Sequence, residues 1–176
     1  MDSVYEKIGV INYQKSKYAN LFTIGSFVLF IILGVVFIVL SGSVSDNILK
    51  GQWFLLGCLC YIIIHETIHL VFMKIFSKER LYCTIKFPSI SVGSNGIFSK
   101  LQFTIIALAP VVILGIVLVL LIVICPKGYT FCLTFLFFLI FSGSGGDYLQ
   151  AFEIKKYSMD TFFKDNSIET IVYKKK

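Results

Sequence analysis

From Leu21 to Leu40 the chain runs for about 20 residues without a charged side chain, long enough as a helix to cross the roughly 30 Å hydrocarbon core of a bilayer. Three more apolar stretches follow: Trp53 to Phe76, Phe103 to Cys125, and Tyr129 to Phe141, the last running into Ser142, Gly143, Ser144, Gly145 and Gly146 before Asp147. With 57% hydrophobic residues and 18 phenylalanines among 176 residues, one small water-soluble core cannot hide this much apolar surface. The expected fold is all-α: a polytopic membrane protein of about four transmembrane helices, the fourth interrupted by the Gly/Ser-rich break. Almost everything outside the apolar runs is short tail or loop. Residues 1–176 are therefore expected to form a single membrane-embedded domain with its core at 50–152 and cytoplasmic tails at 1–20 and 153–176. A cleaved signal peptide ending near Ser41 to Ser43 is disfavoured, because the apolar stretch is too long and its polar lead too extended.

Charge orients the spans. Fourteen of the sixteen basic residues fall in the N-terminal tail, around the second loop from Lys74 to Lys100, or in the C-terminal tail; only Lys50 and Lys127 stand opposite. The bias places both termini and the second loop in the cytoplasm, with the chain in the cell membrane and lipids as its immediate partners. The net charge of +6 does not point to nucleic acid, since the lysines flank apolar spans and form no aromatic-interleaved basic face. The cysteines, Cys58, Cys60, Cys83, Cys125 and Cys132, contain no Cys-x-x-Cys pair, and four lie in apolar runs, where a thiol reads as a small packing residue.

Both histidines of the chain lie in the second span, in the segment His65-Glu66-Thr67-Ile68-His69. On a helix the i, i+4 spacing puts the two imidazoles on one face, where both can bind one metal, with Glu66 beside it as a general base. His69 lies roughly 10 Å and His65 roughly 16 Å inside the end of that helix at Phe76. An ionisable triplet at such depth is expensive unless it meets a partner, and a metal is an economical one. The plainer alternative is a pair of core histidines bonded to neighbouring helices.

Catalytic zinc takes three protein ligands and keeps one position open. With both histidines used, the third ligand is a carboxylate or a thiolate. Asp147 is the acidic residue other than Glu66 within or bordering a span, at a depth matching the histidines. The glycines before it favour an unwound helix that presents it to a cavity. Its plain alternative is an interfacial helix cap. Glu79 and Glu153 are weaker candidates because they sit in polar sequence, and Gln150 reads either as a hydrogen-bonding partner of the site or as an interface residue.

Between the second and third spans, Leu81 to Phe87 alternates apolar and polar residues ahead of Pro88, Ser89 and a turn-like Gly93-Ser94-Asn95-Gly96. It reads as a short interfacial β-hairpin or loop, and an exposed strand edge there could hold an extended peptide by main-chain pairing. Pro110 either kinks the third helix toward the site or is simply tolerated.

The His-Glu-Thr-Ile-His segment, Ala107-Leu108-Ala109-Pro110 in the next span and Gly146-Asp147 in the last together resemble the "putative zincin peptidase" family of small membrane proteins, over roughly residues 50 to 152. More remotely the arrangement is similar to site-2 intramembrane zinc metalloproteases, whose core of three helices holds zinc on two histidines and an aspartate. In those enzymes the aspartate is usually followed by glycine, whereas here Tyr148 follows and the glycines precede. The resemblance implies an intramembrane zinc metalloprotease with Zn2+ on His65, His69 and Asp147 and with Glu66 as catalytic base, cutting transmembrane or membrane-associated peptides near the cytoplasmic side. The alternatives are a catalytically silent zinc-binding or metal-transport protein, which would need further intramembrane ligands along a path, and a zinc hydrolase acting on lipid.

Overall fold

The computed structural model describes residues 4–12, 17–40, 51–86, 89–167 and 169–176. In chain order the elements are β1 (Tyr5–Ile11), α1 (Lys17–Leu40), α2 (Gly51–Phe76), β2 (Leu81–Lys86), β3 (Ser89–Ser94), β4 (Phe98–Ser99), α3 (Lys100–Ile124), α4 (Thr130–Gly143), α5 (Gly145–Lys155), β5 (Thr161–Asp165) and β6 (Thr170–Lys175). Helices α1, α2 and α3 are each long and apolar enough to cross a membrane. The pair formed by α4 and α5, bent by 42° at the break, makes a fourth such span when counted as one.

The all-α expectation is corrected by the two ends of the chain. Instead of tails, β1, β5 and β6 form an antiparallel sheet with β4, in the order β1-β6-β5-β4. The residues named as tails also include the first turn of α1 and the last residues of α5. The physical reason is the alternation of β5 and the start of β6, where Thr161, Phe163 and Asp165, then Thr170 and Val172, turn inward while their neighbours face out. Lysines at the outward positions make the segment read as polar. The hairpin is present as β2 paired with β3, in register from Leu81↔Ser94 to Lys86↔Ser89. Gly93 and Ser94 belong to its second strand and not to its turn; Phe87 and Pro88 lie outside the described residues, as do Ser41 to Ser43. The turn into β4 is closed by Ser94 Oγ, which accepts from the Gly96 amide at 3.0 Å.

Two kinds of interior coexist. Along the helices the outward faces are apolar: Ile63 and Ile75 of α2 are 64% and 66% exposed, and α1 and α3 expose comparable rows of Leu, Val, Ile and Phe. At the end of the bundle where α2 and α5 finish and α3 begins, a conventional core forms beneath the sheet from Met73, Val92, Phe98, Phe103, Ile106, Ile154, Phe163 and Val172. Phe103 and Phe163 stack there with centroids 5.5 Å apart, and each fully buried phenylalanine contributes about 2–3 kcal/mol of transfer free energy. A capping box fixes where α3 starts: the Ser99 amide donates to Gln102 Oε1 at 2.9 Å while Ser99 Oγ accepts from the Gln102 amide. Close helix approach needs glycine at Gly145, where a Cβ would meet the Thr23 backbone of α1 at 3.1 Å. All five cysteines are free, and none is fully buried.

Candidate metal centre

Helix α2 buries the wrong residues for a helix in water. Its inward stripe at i, i+4 and i+8 is His65, His69 and Met73, whereas Ile62, Ile63, Ile64 and Ile75 are exposed. His65 and His69 are each 7% exposed, so their imidazoles need partners inside the bundle. The break between α4 and α5 supplies one. Ser144 ends α4, and the bend at this point puts Asp147 in the first turn of α5, where the helix dipole favours a carboxylate. Asp147 Oδ2 lies 3.2 Å from His65 Nε2, and its Oδ1 lies 3.4 Å from His69 Nε2.

The tautomer of His69 is set by the third helix. In an α-helix the amide of residue 110 would bond the carbonyl of residue 106, but Pro110 has no N–H. The Ile106 carbonyl is thus left without its ladder donor, and it accepts from His69 Nδ1 at 2.8 Å. That bond leaves the Nε2 lone pair facing Asp147. Pro110 therefore acts by freeing the carbonyl that orients a candidate ligand. His65 is oriented by packing against Tyr61, whose ring meets it edge-on at 5.6 Å.

The donor set fits zinc. One ligand atom from each of His65, His69 and Asp147 lies within 4.8 Å of the others. The two N–O separations run to different oxygens of the Asp147 carboxylate, and each is close to the roughly 3.3–3.4 Å edge of a tetrahedron whose corners sit about 2.0–2.1 Å from its centre. Two neutral imidazoles and one carboxylate also form a chemically suitable set that leaves a fourth position open.

Glu66, His69 and Asp147 line a cavity of about 460 Å³. Asp165, Glu169 and Thr170, from the end of β5 to the start of β6, also line it, and α1 adds Asn20 and Thr23. Gln150 lines it too and donates from Nε2 to Asp165 Oδ2 at 3.0 Å. Burial pushes the Asp165 carboxyl up to about 6, against the opposing effect of the Ser167 amide and the Gln150 side chain. Burial likewise raises the Tyr82 hydroxyl, which donates to the Asp165 carbonyl. Glu79 and Glu153 are not brought to the centre: Glu79 is exposed in the turn after α2, and Glu153 pairs with Lys156 at 2.6 Å. Sequence reasoning missed Asp165 and the Ile106 carbonyl. The first sits in a lysine-rich segment; the second was marked by Pro110, four residues on.

A family model described as "Putative zincin peptidase" matches residues 58–162, a stretch that includes His65, Glu66, His69, Pro110 and Asp147. No curated protein and no solved structure matches the chain. With the match covering more than half of its length, the chain belongs to the putative zincin peptidase family.

Proposed function

We propose that this protein is an intramembrane zinc peptidase of the site-2 kind, held in the cell membrane with both termini cytoplasmic, that hydrolyses transmembrane or membrane-associated peptides near the cytoplasmic side. The observation that carries the reading is the convergence of His65, His69 and Asp147 on one point inside a bundle whose outer surface is apolar. His65, His69 and Asp147 would hold the metal. Bound there, zinc supplies Lewis acidity that makes water a nucleophile near neutral pH and offsets the negative charge growing on a carbonyl oxygen.

The chain's own groups do the rest. The Glu66 carboxylate, on the cavity wall beside the histidines, takes a proton as the water oxygen bonds to the peptide carbonyl carbon. It returns that proton to the amide nitrogen as the C–N bond breaks, so that an acid and an amine leave. Ile106 holds His69 in register throughout. Substrate would reach the centre through the cavity under the sheet.

Purified protein should carry about one zinc per chain, with His65→Ala and His69→Ala each losing most of it. Glu66→Gln should keep the zinc and the fold while cleavage of membrane peptides falls by orders of magnitude. Wild type devoid of metal by elemental analysis, or a Glu66→Gln protein that cleaves normally, would overturn the reading. Parallel assays on labelled lipids separate it from a lipid hydrolase.

A further inference from the structure

Two acidic side chains of the cavity have no part in that chemistry. Asp165, at the end of β5, and Glu169, just before β6, line the cavity from a segment beyond the family match at residue 162. Asp165 is 7% exposed; its Oδ2 accepts from Gln150 and its Oδ1 from the Ser167 amide at 2.8 Å. Both partners are neutral dipoles, and no lysine or arginine among the described residues pairs with this carboxylate or lines the cavity. A buried carboxylate without a counter-charge is costly and calls for a cation. A second, independent sign lies beside it. Thr170 is 0% exposed, lines the same cavity, and its hydroxyl has no hydrogen-bond partner among the described residues.

Ser167, after β5, is held from the hairpin side. It sits at φ 65°, its carbonyl accepts from Ser91 Oγ at 3.0 Å, and its hydroxyl meets Thr84 Oγ1 at 2.7 Å. The hairpin thus braces the acidic segment, and Gly93 permits the approach: a Cβ there would meet the Ser167 amide nitrogen at 2.8 Å. A volume of about 460 Å³ is enough for a long side chain with part of its backbone.

We propose that the cavity is a cation-selective substrate pocket, in which Asp165, Glu169 and the Thr170 hydroxyl seat a lysine or arginine side chain close to the scissile bond. The proposal rests on the peptidase reading and narrows its substrate class. The ammonium or guanidinium supplies the missing counter-charge to Asp165 and a donor to Thr170, while the peptide backbone reaches back toward Glu66. Neutral and acidic side chains leave Asp165 unpaired, so discrimination comes from the cost of that vacancy as well as from the new contacts.

The test uses the full chain in nanodiscs, with peptides that carry Lys, Arg, norleucine or Glu at each position around the cleaved bond. In the zinc-retaining Glu66→Gln protein, fluorescence anisotropy should show Lys and Arg peptides binding at least about tenfold more tightly than norleucine peptides. In otherwise wild-type protein the same ordering should appear in kcat/KM. Asp165→Asn and Glu169→Gln should each bring the Lys-to-norleucine ratio down toward one, and Glu169→Lys should shift preference toward Glu peptides. Zinc content and melting temperature report folding. If Asp165→Asn misfolds, the partly exposed Glu169 variants carry the test. Cleavage without any preference for basic peptides, or a preference that survives both neutral substitutions, overturns the pocket and leaves the peptidase standing. Selective binding without cleavage by wild type keeps the pocket and overturns the peptidase.

Discussion

His69 depends on a proline in the neighbouring helix. Replacing Pro110 by Ala restores an amide that will claim the Ile106 carbonyl for the helix ladder and take it from His69 Nδ1. Zinc affinity should fall by roughly 10 to 100-fold in a chelator competition, the size seen when a ligand histidine loses its orienting partner. The metal-free variant should melt no lower than wild type, because alanine suits a helix interior better than proline. Unchanged affinity would show that packing alone orients His69. Asp165 offers a second test at this scale. Its carboxyl goes from an ordinary 3.8 to about 6 in the fold, so between those values the folded chain holds more protons than the unfolded one. Stability is therefore expected to fall as pH rises from 4 to 6 and to level off above. The groups around it are the Gln150 side chain, the Ser167 amide, His69 and Asp147. Asp165→Asn, with the Gln150 amide flipped to match, should remove this slope and gain up to about 3 kcal/mol at pH 7, read by thermal unfolding across pH. A variant with the wild-type slope would assign the titration elsewhere.

The sheet bears on stability at the scale of elements. Phe163 fixes β5 to α3 through Phe103 and to Tyr157 edge-on, and it has no exposed surface. Phe163→Ala should cost about 3–5 kcal/mol, and a Phe163→Leu variant much less. Gly145→Ala should push α5 from α1 and lower the melting temperature, since its new methyl meets backbone. These elements were not equally legible in the sequence. The spans could be read because about 20 consecutive apolar residues have few other uses, and the break before Asp147 because glycines and serines rarely sustain a helix. The hairpin announced itself by alternation at Leu81 to Lys86. Strands β1 and β6 did not, since they pair residues about as far apart as the chain permits, such as Tyr5 with Lys175, and no local pattern records such a partner. The ligand geometry was legible only to the extent that i, i+4 spacing puts two histidines on one face. That Asp147 would come within 3.4 Å of both depended on a bend angle that no residue type specifies.

In the whole molecule, the sheet gathers both chain ends, the hairpin and the start of α3 at one end of the bundle, and the Cys125–Tyr129 connection lies at the other. In a cysteine-free background, Met159→Cys should react with an impermeant thiol reagent only after the membrane is opened, and Gly128→Cys should react from outside intact cells. The reverse pattern would turn the cavity toward the exterior. The sheet also decides how small a working version of this protein can be. In the proposed membrane setting lipid would cover the apolar sides of the helices but not Phe98, Phe103 and Ile154, which pack under β5 and β6 instead. A fragment cut to the family match, residues 58–162, would retain every proposed ligand yet uncover these side chains, and after extraction it should aggregate where the full chain stays monodisperse. The unit that folds on its own is thus expected to be larger than the segment by which its family is recognised.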